Sequence, residues 1–386
     1  MKNWKRLLAL LLSLALAVSL CACDIAADPT GGTASPDPSL GPGASLDPGV
    51  VPSIEVDLNQ DAVALSAGLS ADDILLTVDG QDIPADLFLY LLFMDCYNFE
   101  YNFYYYGVTV ADFADMLLED AVGMATRYAV LRHRAVQLGC LPTDAQLQEV
   151  RDQLLADGQE YYDSLRTAYG LSAESMDYLT TITCYYDNLL DVLVPTATEE
   201  MLTGYVYQVK HILLKTVDDQ QQPLSDDEIA AQRALAEDIL AQLQAVEGEE
   251  RLELFDKLMN QYSEDGRDGN GDLYAPDGYT AVPGNMVAEF EEASLALPIG
   301  GMSGIVESSY GFHIILRGEV DNIEDYIEGC RSYRLDQEID ELMDSAEVTR
   351  TGALAGINVS DFYERYFAYQ NAVMERFASA NGNTAG

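Results

Sequence analysis

The chain is poor in basic residues. Its 386 residues include 20 Lys and Arg against 65 Asp and Glu, which gives a formal charge of -45 at pH 7. So large an excess of negative charge argues against binding to nucleic acid and against electrostatic docking on anionic membranes. It indicates either a surface that resists association while handling adhesive clients or a plain acidic coat suited to its surroundings.

Cysteine is scarce and shows no metal-site pattern. Beyond residue 23 the cysteines are Cys96, Cys140, Cys184 and Cys330. They lie far apart, without the paired spacing of zinc ligands. An exported chain could form disulfides, but the sequence favours no particular pairing. We expect buried free thiols.

Histidine occurs only three times. Two of the three, His211 and His313, lie in β-branched runs that predict strands. The third, His133, lies between two arginines of a predicted helix and is expected on its solvated face. The occurrence of two rare histidines in two strands points to a shared role.

The start of the chain has the pattern of a secretion signal. A basic start precedes an apolar run at residues 7–20, which is short for a membrane span. The run ends in Leu20-Cys21-Ala22-Cys23, which resembles the lipobox of bacterial lipoproteins. That resemblance makes residues 1–22 a removed signal peptide and Cys23 the lipid-bearing first residue, held at the outer face of the cell membrane. An ordinary signal cleaved elsewhere is the alternative.

Composition predicts little structure on either side of the body. Residues 23–72 are rich in small and polar residues up to about residue 70 and should form a flexible tether behind the lipid. Residues 379–386 contain mainly Gly, Asn, Thr and Ala and should be a disordered tail.

Residues 73–204 predict a helical domain. A strand from Ile74 precedes helices at 85–105, from Thr109 to Gly139, from Thr143 to about Tyr169, and from Ser172 to about Leu193. The first of these helices ends in a group of tyrosines. Residues 321–378 predict further helices that fold back on this body.

Residues 205–320 predict a mixed domain. A strand at 205–215 and another at 311–317 enclose helices at 226–246, 249–261 and 286–297. No internal repeat is evident.

This region contains five short motifs, and the order in which they occur is informative. They are Val209–Lys215, Gln261–Asp265, Gly271–Leu273, Gly284–Ala293 and Tyr310–Ile315. Together they resemble the parvulin family of peptidyl-prolyl isomerases. The implied fold class is α+β, a helical chaperone-like body with an inserted parvulin domain whose small antiparallel sheet is flanked by helices. The N-terminal part is similar to extracytoplasmic foldases of the SurA and PrsA kind.

The resemblance implies a polar floor for a proline site. It consists of His211, His313, Asp265 and Ser308. The histidines would lie side by side at the centre of the sheet, with Ser308 bonding to the pair and Asp265 at the pocket edge. Rotation about an Xaa-Pro bond breaks no bond, so no metal, nucleophile or cofactor is expected. Whether the histidines act directly or only hold the fold is open.

The resemblance also implies an apolar pocket. Its residues are Leu273, Met286 and Phe290, with the last two four residues apart on one helical face. Ordinary core packing is the alternative. Asn270 stands where the family usually has glycine, and the loop 274–285 is longer than in compact members. No Arg or Lys cluster follows Lys215, which excludes phosphoserine recognition.

The expected function is therefore isomerisation of Xaa-Pro bonds in unfolded or partly folded exported polypeptides. The alternative is a holdase chaperone lipoprotein with an inactive parvulin domain. A solute-binding lipoprotein is disfavoured, because residues 85–200 are rich in predicted helix.

Overall fold

The structure is a computed structural model that describes residues 54–103 and 106–382. The predicted signal peptide, Cys23 and the tether up to residue 53 lie outside the described residues, as do residues 383–386 of the tail. The chain divides into two compact units. The helical unit consists of the described residues up to Leu193 together with those from Leu335 onward, and the second unit is Val194–Arg334.

The elements follow one another along the chain. The first part contains α1 (Ala62–Ala67), β1 (Ile74–Val78), β2 (Gln81–Pro84), α2 (Ala85–Phe103), α3 (Ala114–Leu138), α4 (Asp144–Leu154), α5 (Gln159–Ala168), α6 (Ala173–Thr180) and α7 (Ile182–Leu193). The middle part contains α8 (Glu199–Tyr205), β3 (Tyr207–Lys215), α9 (Asp226–Gln244), α10 (Gly248–Tyr262), β4 (Tyr279–Ala281), α11 (Ala288–Ala296), β5 (Met302–Ser308) and β6 (Gly311–Gly318). The last part contains α12 (Ile327–Ser345), β7 (Val348–Arg350), α13 (Gly352–Ala355) and α14 (Val359–Gly382).

The helical unit is closed by its C-terminal segment. Strand β7 pairs antiparallel with β1, so that Val348 lies opposite Val78, and the sheet order is β2-β1-β7. Helix α14 packs on α1 and α5. The unit therefore needs both chain segments to complete its sheet and its core.

Two helix predictions for this unit were wrong in detail. The helix expected from Thr143 is two helices, α4 and α5, separated at Gly158, whose φ of 96° no other residue type adopts readily. The helix expected from Ser172 breaks at Thr181 into α6 and α7. Helix α4 begins directly after Thr143, as expected, and Thr143 forms a capping box with Gln146.

The predicted tether extended too far. Asp61 caps α1 by accepting a hydrogen bond from the Ala64 amide at 2.7 Å, and Ala62 and Val63 are fully buried. Gly170 makes room for this helix, because a Cβ there would lie 2.6 Å from the Ala62 Cβ. Residues 62–67 thus belong to the folded helical unit.

Tyrosines mainly build the interior of the helical unit. Phe93 of α2 stacks on Tyr366 of α14 with ring centroids 4.4 Å apart, and Tyr366 donates its hydroxyl hydrogen to the Tyr169 carbonyl. Tyr101 and Tyr106 remain exposed. Tyr169 and Tyr366 are thus part of an aromatic core of the helical unit.

The second unit is built on an antiparallel sheet with strand order β4-β3-β6-β5. Residues alternate between its faces. On one face Ile212, Leu214 and Ile314 pack with α9 and α10, a layer we call the helix-pair cluster. On the other face Tyr207 and Ile315 pack with Phe290 of α11. This second layer, the α11 cluster, is the face that bears both histidines.

Arg317 joins the start of the unit to its end. Its buried guanidinium donates to the carbonyls of Leu295 and Leu297 at 2.8 Å and also to that of Thr203 in α8. Helix α8 is therefore part of the second unit, which begins at Val194, ahead of the expected residue 205.

Within the described residues, no helix has both the length and the apolar character needed to cross a bilayer.

Candidate active site

The two histidines meet on the α11 side of the sheet. In the β3–β6 register His211 lies opposite Ile315 and His313 lies opposite Leu213, so the imidazoles are diagonal neighbours on one face. Their Nδ1 atoms are 3.1 Å apart, and the ring planes differ by 10°. Both side chains are buried. The structure thus brings together the two residues whose scarcity first marked them.

Ser308 lies at the β5–β6 turn, beside the second imidazole. Its Oγ is 2.7 Å from Nε2 of His313, and the same oxygen accepts a hydrogen bond from the Tyr310 amide at 3.2 Å. The strand pair thereby fixes the hydroxyl against the histidine.

Asp265 is delivered by the chain that leaves α10. The Leu213 amide donates to Ser263 Oγ at 3.1 Å, and the Glu264 amide donates to the Leu213 carbonyl at 2.8 Å. These bonds hold the segment along β3, so that the carboxylate of Asp265 lies beside His211. Oδ2 of Asp265 lies 2.9 Å from Nε2 of His211, in a contact too bent to count as a well-aligned hydrogen bond.

Tyr279 also contacts Asp265. It lies opposite Val209 in the β3–β4 pairing and donates its hydroxyl hydrogen to Oδ2 of Asp265 at 2.6 Å. Its ring meets the His211 ring edge-on, with centroids 5.9 Å apart. The motifs did not assign this residue to the site. The one available signal was that it is an aromatic residue within the long 274–285 loop.

These contacts are consistent with one arrangement of protons. If His211 carries its one hydrogen on Nε2, toward the Asp265 carboxylate, its Nδ1 accepts from Nδ1 of His313. Nε2 of His313 is then an acceptor, and the Ser308 hydroxyl donates to it. This chain of donors runs from Ser308 to Asp265.

The ionisation of the site agrees with that assignment. Burial, aided by His211, lowers the pKa of His313 to about 3, despite the opposing effect of Asp265. Burial alone would raise the pKa of Asp265, but its contacts with His211 and Tyr279 outweigh burial and leave that pKa below its ordinary value. Burial and the Asp265 carboxylate raise the pKa of Tyr279. At neutral pH the site therefore holds a neutral histidine, a carboxylate and a phenol.

Phe290 forms the apolar side of the site. Its ring meets His211 and His313 edge-on, with centroids 5.0 and 5.2 Å away, and the side chain is buried in the α11 cluster. Met286 packs half-buried against the same cluster. It precedes α11, which begins at Ala288, so the prediction that Met286 and Phe290 share a helical face was wrong.

Leu273 lies elsewhere. It is buried in the helix-pair cluster, on the opposite side of the sheet from the imidazoles. Asp268 shapes the preceding turn, accepting the amides of Asn270 and Asp272 at 2.8 and 2.9 Å. Asn270 fits this turn in place of glycine. The structure thus brings Met286 and Phe290, but not Leu273, to the α11 face with the histidines.

The middle of the chain is similar to a known protein family. Residues 197–319 match the PPIC-type PPIASE domain. A foldase protein PrsA of Halalkalibacterium halodurans is 26% identical over 224 residues, which cover 54% of this chain and 61% of that protein. Foldase protein PrsA 4 of Bacillus cereus is 37% identical over 112 residues, 28% of this chain and 39% of that protein. The chain thus aligns with less than two thirds of the length of each of these relatives.

Two solved structures show limited similarity to this chain. The peptidylprolyl isomerase PrsA of Bacillus cereus has a TM-score of 0.35 and 20% identity, covering 78% of this chain and 99% of that one. A chain from Campylobacter jejuni, described with its relative as a SurA-like chaperone, has a TM-score of 0.25 and 10% identity, covering 72% of this chain and 99% of that one.

Proposed function

We propose that this chain, whose residues 197–319 form a parvulin-type domain similar to that of PrsA foldases, is a peptidyl-prolyl cis-trans isomerase that assists the folding of exported proteins. The observation that carries the proposal is the linked set Ser308, His313, His211 and Asp265, which runs beside Phe290. The reaction makes and breaks no covalent bond, so an apolar wall next to an ionised carboxylate can be sufficient for it.

The physical reason lies in the amide itself. A planar Xaa-Pro amide carries partial negative charge on its oxygen and partial positive charge on its nitrogen, and twisting removes both. An apolar wall such as Phe290 and Met286 favours the less polar twisted form. A carboxylate near the carbonyl oxygen disfavours the planar form in the same sense. We propose that His211, His313 and Ser308 hold the Asp265 carboxylate in place.

The direct test is an isomerisation assay with the full chain on an unmodified Xaa-Pro peptide. We expect acceleration by the wild type and a loss of at least about tenfold in kcat/KM for Asp265→Asn. Asp272→Asn is the matched control, because Asp272 is an exposed aspartate of the same loop. A wild-type rate equal to the uncatalysed rate would refute the isomerase.

A second candidate is a holdase in which the parvulin domain only contacts clients. The observation that favours it is the altered site, since Leu273 lies away from the histidine face. The test measures suppression of aggregation of an unfolded client by the wild type and by Asp265→Asn. Suppression by both proteins with no isomerisation by either would favour the holdase.

We further propose that Cys23 carries lipid that holds the protein at the outer face of the cell membrane, where its clients are unfolded or partly folded exported chains. The support is the lipobox-like sequence ending at Cys23. Mass spectrometry of the mature N-terminus tests this, with Cys23→Ala expected to abolish both the lipid and membrane association. A mature protein that starts elsewhere and bears no lipid would contradict it.

A further inference from the structure

Tyr279 lies outside the set of residues that the family motifs assign to the site, yet it contacts the carboxylate directly. Its hydroxyl oxygen is 2.6 Å from Oδ2 of Asp265. Strand β4 carries it there, and that strand is held against β3 at Val209. Gly278 permits this close approach, because a Cβ at that position would lie 2.2 Å from the Val209 carbonyl oxygen.

The two contacts of Asp265 fall on the same oxygen. Tyr279 and Nε2 of His211 both approach Oδ2, at 2.6 and 2.9 Å. Among the described residues, none donates a hydrogen bond to Oδ1. The Asp265 side chain retains 29% of its exposure, whereas that of His211 retains 9%. The hydrogen bond from Tyr279, with Nε2 of His211 close to the same oxygen, fixes the rotation of the carboxylate and leaves the other oxygen for a bound client.

We propose that Tyr279 is a positioning residue for the isomerisation, one whose hydroxyl orients the Asp265 carboxylate and keeps it ionised so that Oδ1 serves the substrate amide. This inference rests on the proposed function of Asp265. The chemistry needs such a residue because a buried carboxylate without donors would take up a proton and lose the charge that disfavours the planar amide.

The surroundings of Asp265 agree with this role. The titratable groups that act on it are His211 of β3, His313 of β6 and Tyr279 of β4. Because the His211 contact is poorly aligned, the phenol makes the better-aligned hydrogen bond to this carboxylate. Its hydrogen bond is one of the contacts that, against burial, hold the pKa of Asp265 below its ordinary value.

A merely structural role for Tyr279 would be carried by its ring. The ring packs edge-on against His211, with centroids 5.9 Å apart. Tyr279→Phe keeps the ring and removes the hydroxyl, so it separates the two roles. Tyr274→Phe is the matched control, because Tyr274 lies in the same loop with 72% of its surface exposed.

The experiment uses the full chain and two readouts. The first is the carboxyl titration of Asp265 by NMR with ¹³C-labelled aspartate, assigned by the signal missing in Asp265→Asn. The second is the dependence of kcat/KM on pH. For Tyr279→Phe we expect the Asp265 pKa to rise, the acid limb of the profile to move to higher pH, and kcat/KM at neutral pH to fall roughly tenfold. Tyr274→Phe should change neither readout.

A double-mutant cycle completes the test. In the Asp265→Asn background, Tyr279→Phe should cause almost no further loss of kcat/KM, because the carboxylate it orients is gone. An Asp265 titration unchanged by Tyr279→Phe would overturn the inference even if the rate fell. A wild type without isomerase activity, combined with a shifted titration in Tyr279→Phe, would instead refute the proposed function while the hold of Tyr279 on Asp265 stood.

Discussion

At the scale of single residues, the site depends on keeping an imidazole neutral. His313 is 3% exposed, and burial, aided by His211, lowers its pKa to about 3 from the ordinary 6.5. Between these two pH values His313 is protonated in the unfolded chain and neutral in the folded chain. Stability from this residue is complete above about pH 6.5 and is lost as the pH falls toward 3.

This linkage predicts an acid-sensitive sheet. Between pH 6.5 and 5 the second unit should lose on the order of 2 kcal/mol of stability through His313, since each pH unit contributes about 1.4 kcal/mol. Hydrogen exchange of the β3 and β6 amides, corrected for intrinsic pH dependence, measures the loss. His313→Gln should flatten that slope whatever its effect on absolute stability. His133→Gln, in the helical unit, should leave the slope unchanged, and an equal slope in both variants would contradict the assignment.

At the scale of elements, the short strand β4 decides where Tyr279 lies. Gly278 has a φ of 84° and passes so close to β3 that a Cβ would meet the Val209 carbonyl oxygen at 2.2 Å. Gly284 has a nearly equal φ of 85° but nothing within 4 Å of its missing Cβ. Both glycines thus have a left-handed backbone, but only Gly278 lies in close contact with another strand.

That difference gives a matched pair of variants. Gly284→Ala should cost about 1–2 kcal/mol from the left-handed backbone alone. Gly278→Ala should cost about 1–3 kcal/mol more, because β4 must move away from β3. It should also lower kcat/KM, since Tyr279 moves with the strand. Urea unfolding and the isomerisation assay measure both effects, and equal losses of stability in the two variants would show that the contact with β3 is unimportant.

At the scale of the whole molecule, the two units differ in how the chain builds them. The second unit is one continuous segment, and both of its hydrophobic clusters consist of its own residues. The helical unit needs two distant segments, because β7 completes the β1 sheet and Tyr366 of α14 stacks on Phe93. Truncation should therefore leave the second unit folded and unfold the helical unit.

We therefore expect residues 194–334 expressed alone to fold cooperatively and, if the isomerase proposal holds, to retain most of the kcat/KM of the full chain. Ending the full chain at residue 334 should instead leave the helical unit unfolded while β3 and β6 stay protected from hydrogen exchange. Circular dichroism and hydrogen exchange measure these outcomes. A helical unit that remained folded without α14 would contradict the role given to its aromatic core.

The sequence predicted the elements where local signals are strong. Helix α9 begins at Asp226, as expected, and Gly139 ends α3 at the expected residue, in the left-handed conformation. The breaks at Gly158 and Thr181 were missed, because apolar spacing continues across them and the chain bends there to fit its neighbours. The three-residue strand β4 was also missed, since so short a strand exists only through its pairing with β3.

By itself the sequence determined that two histidines on strands, an aspartate after a helix and a serine at a turn form one set, because these residue types recur in a recognisable order. Only the tertiary structure decided which neighbours complete that set. In the structure Tyr279 contacts Asp265, and Met286 reaches the site from the segment before α11. Leu273 lies on the opposite face of the sheet. The reason is that sheet register and loop path fix which side chains meet, and both depend on contacts between residues far apart in the chain.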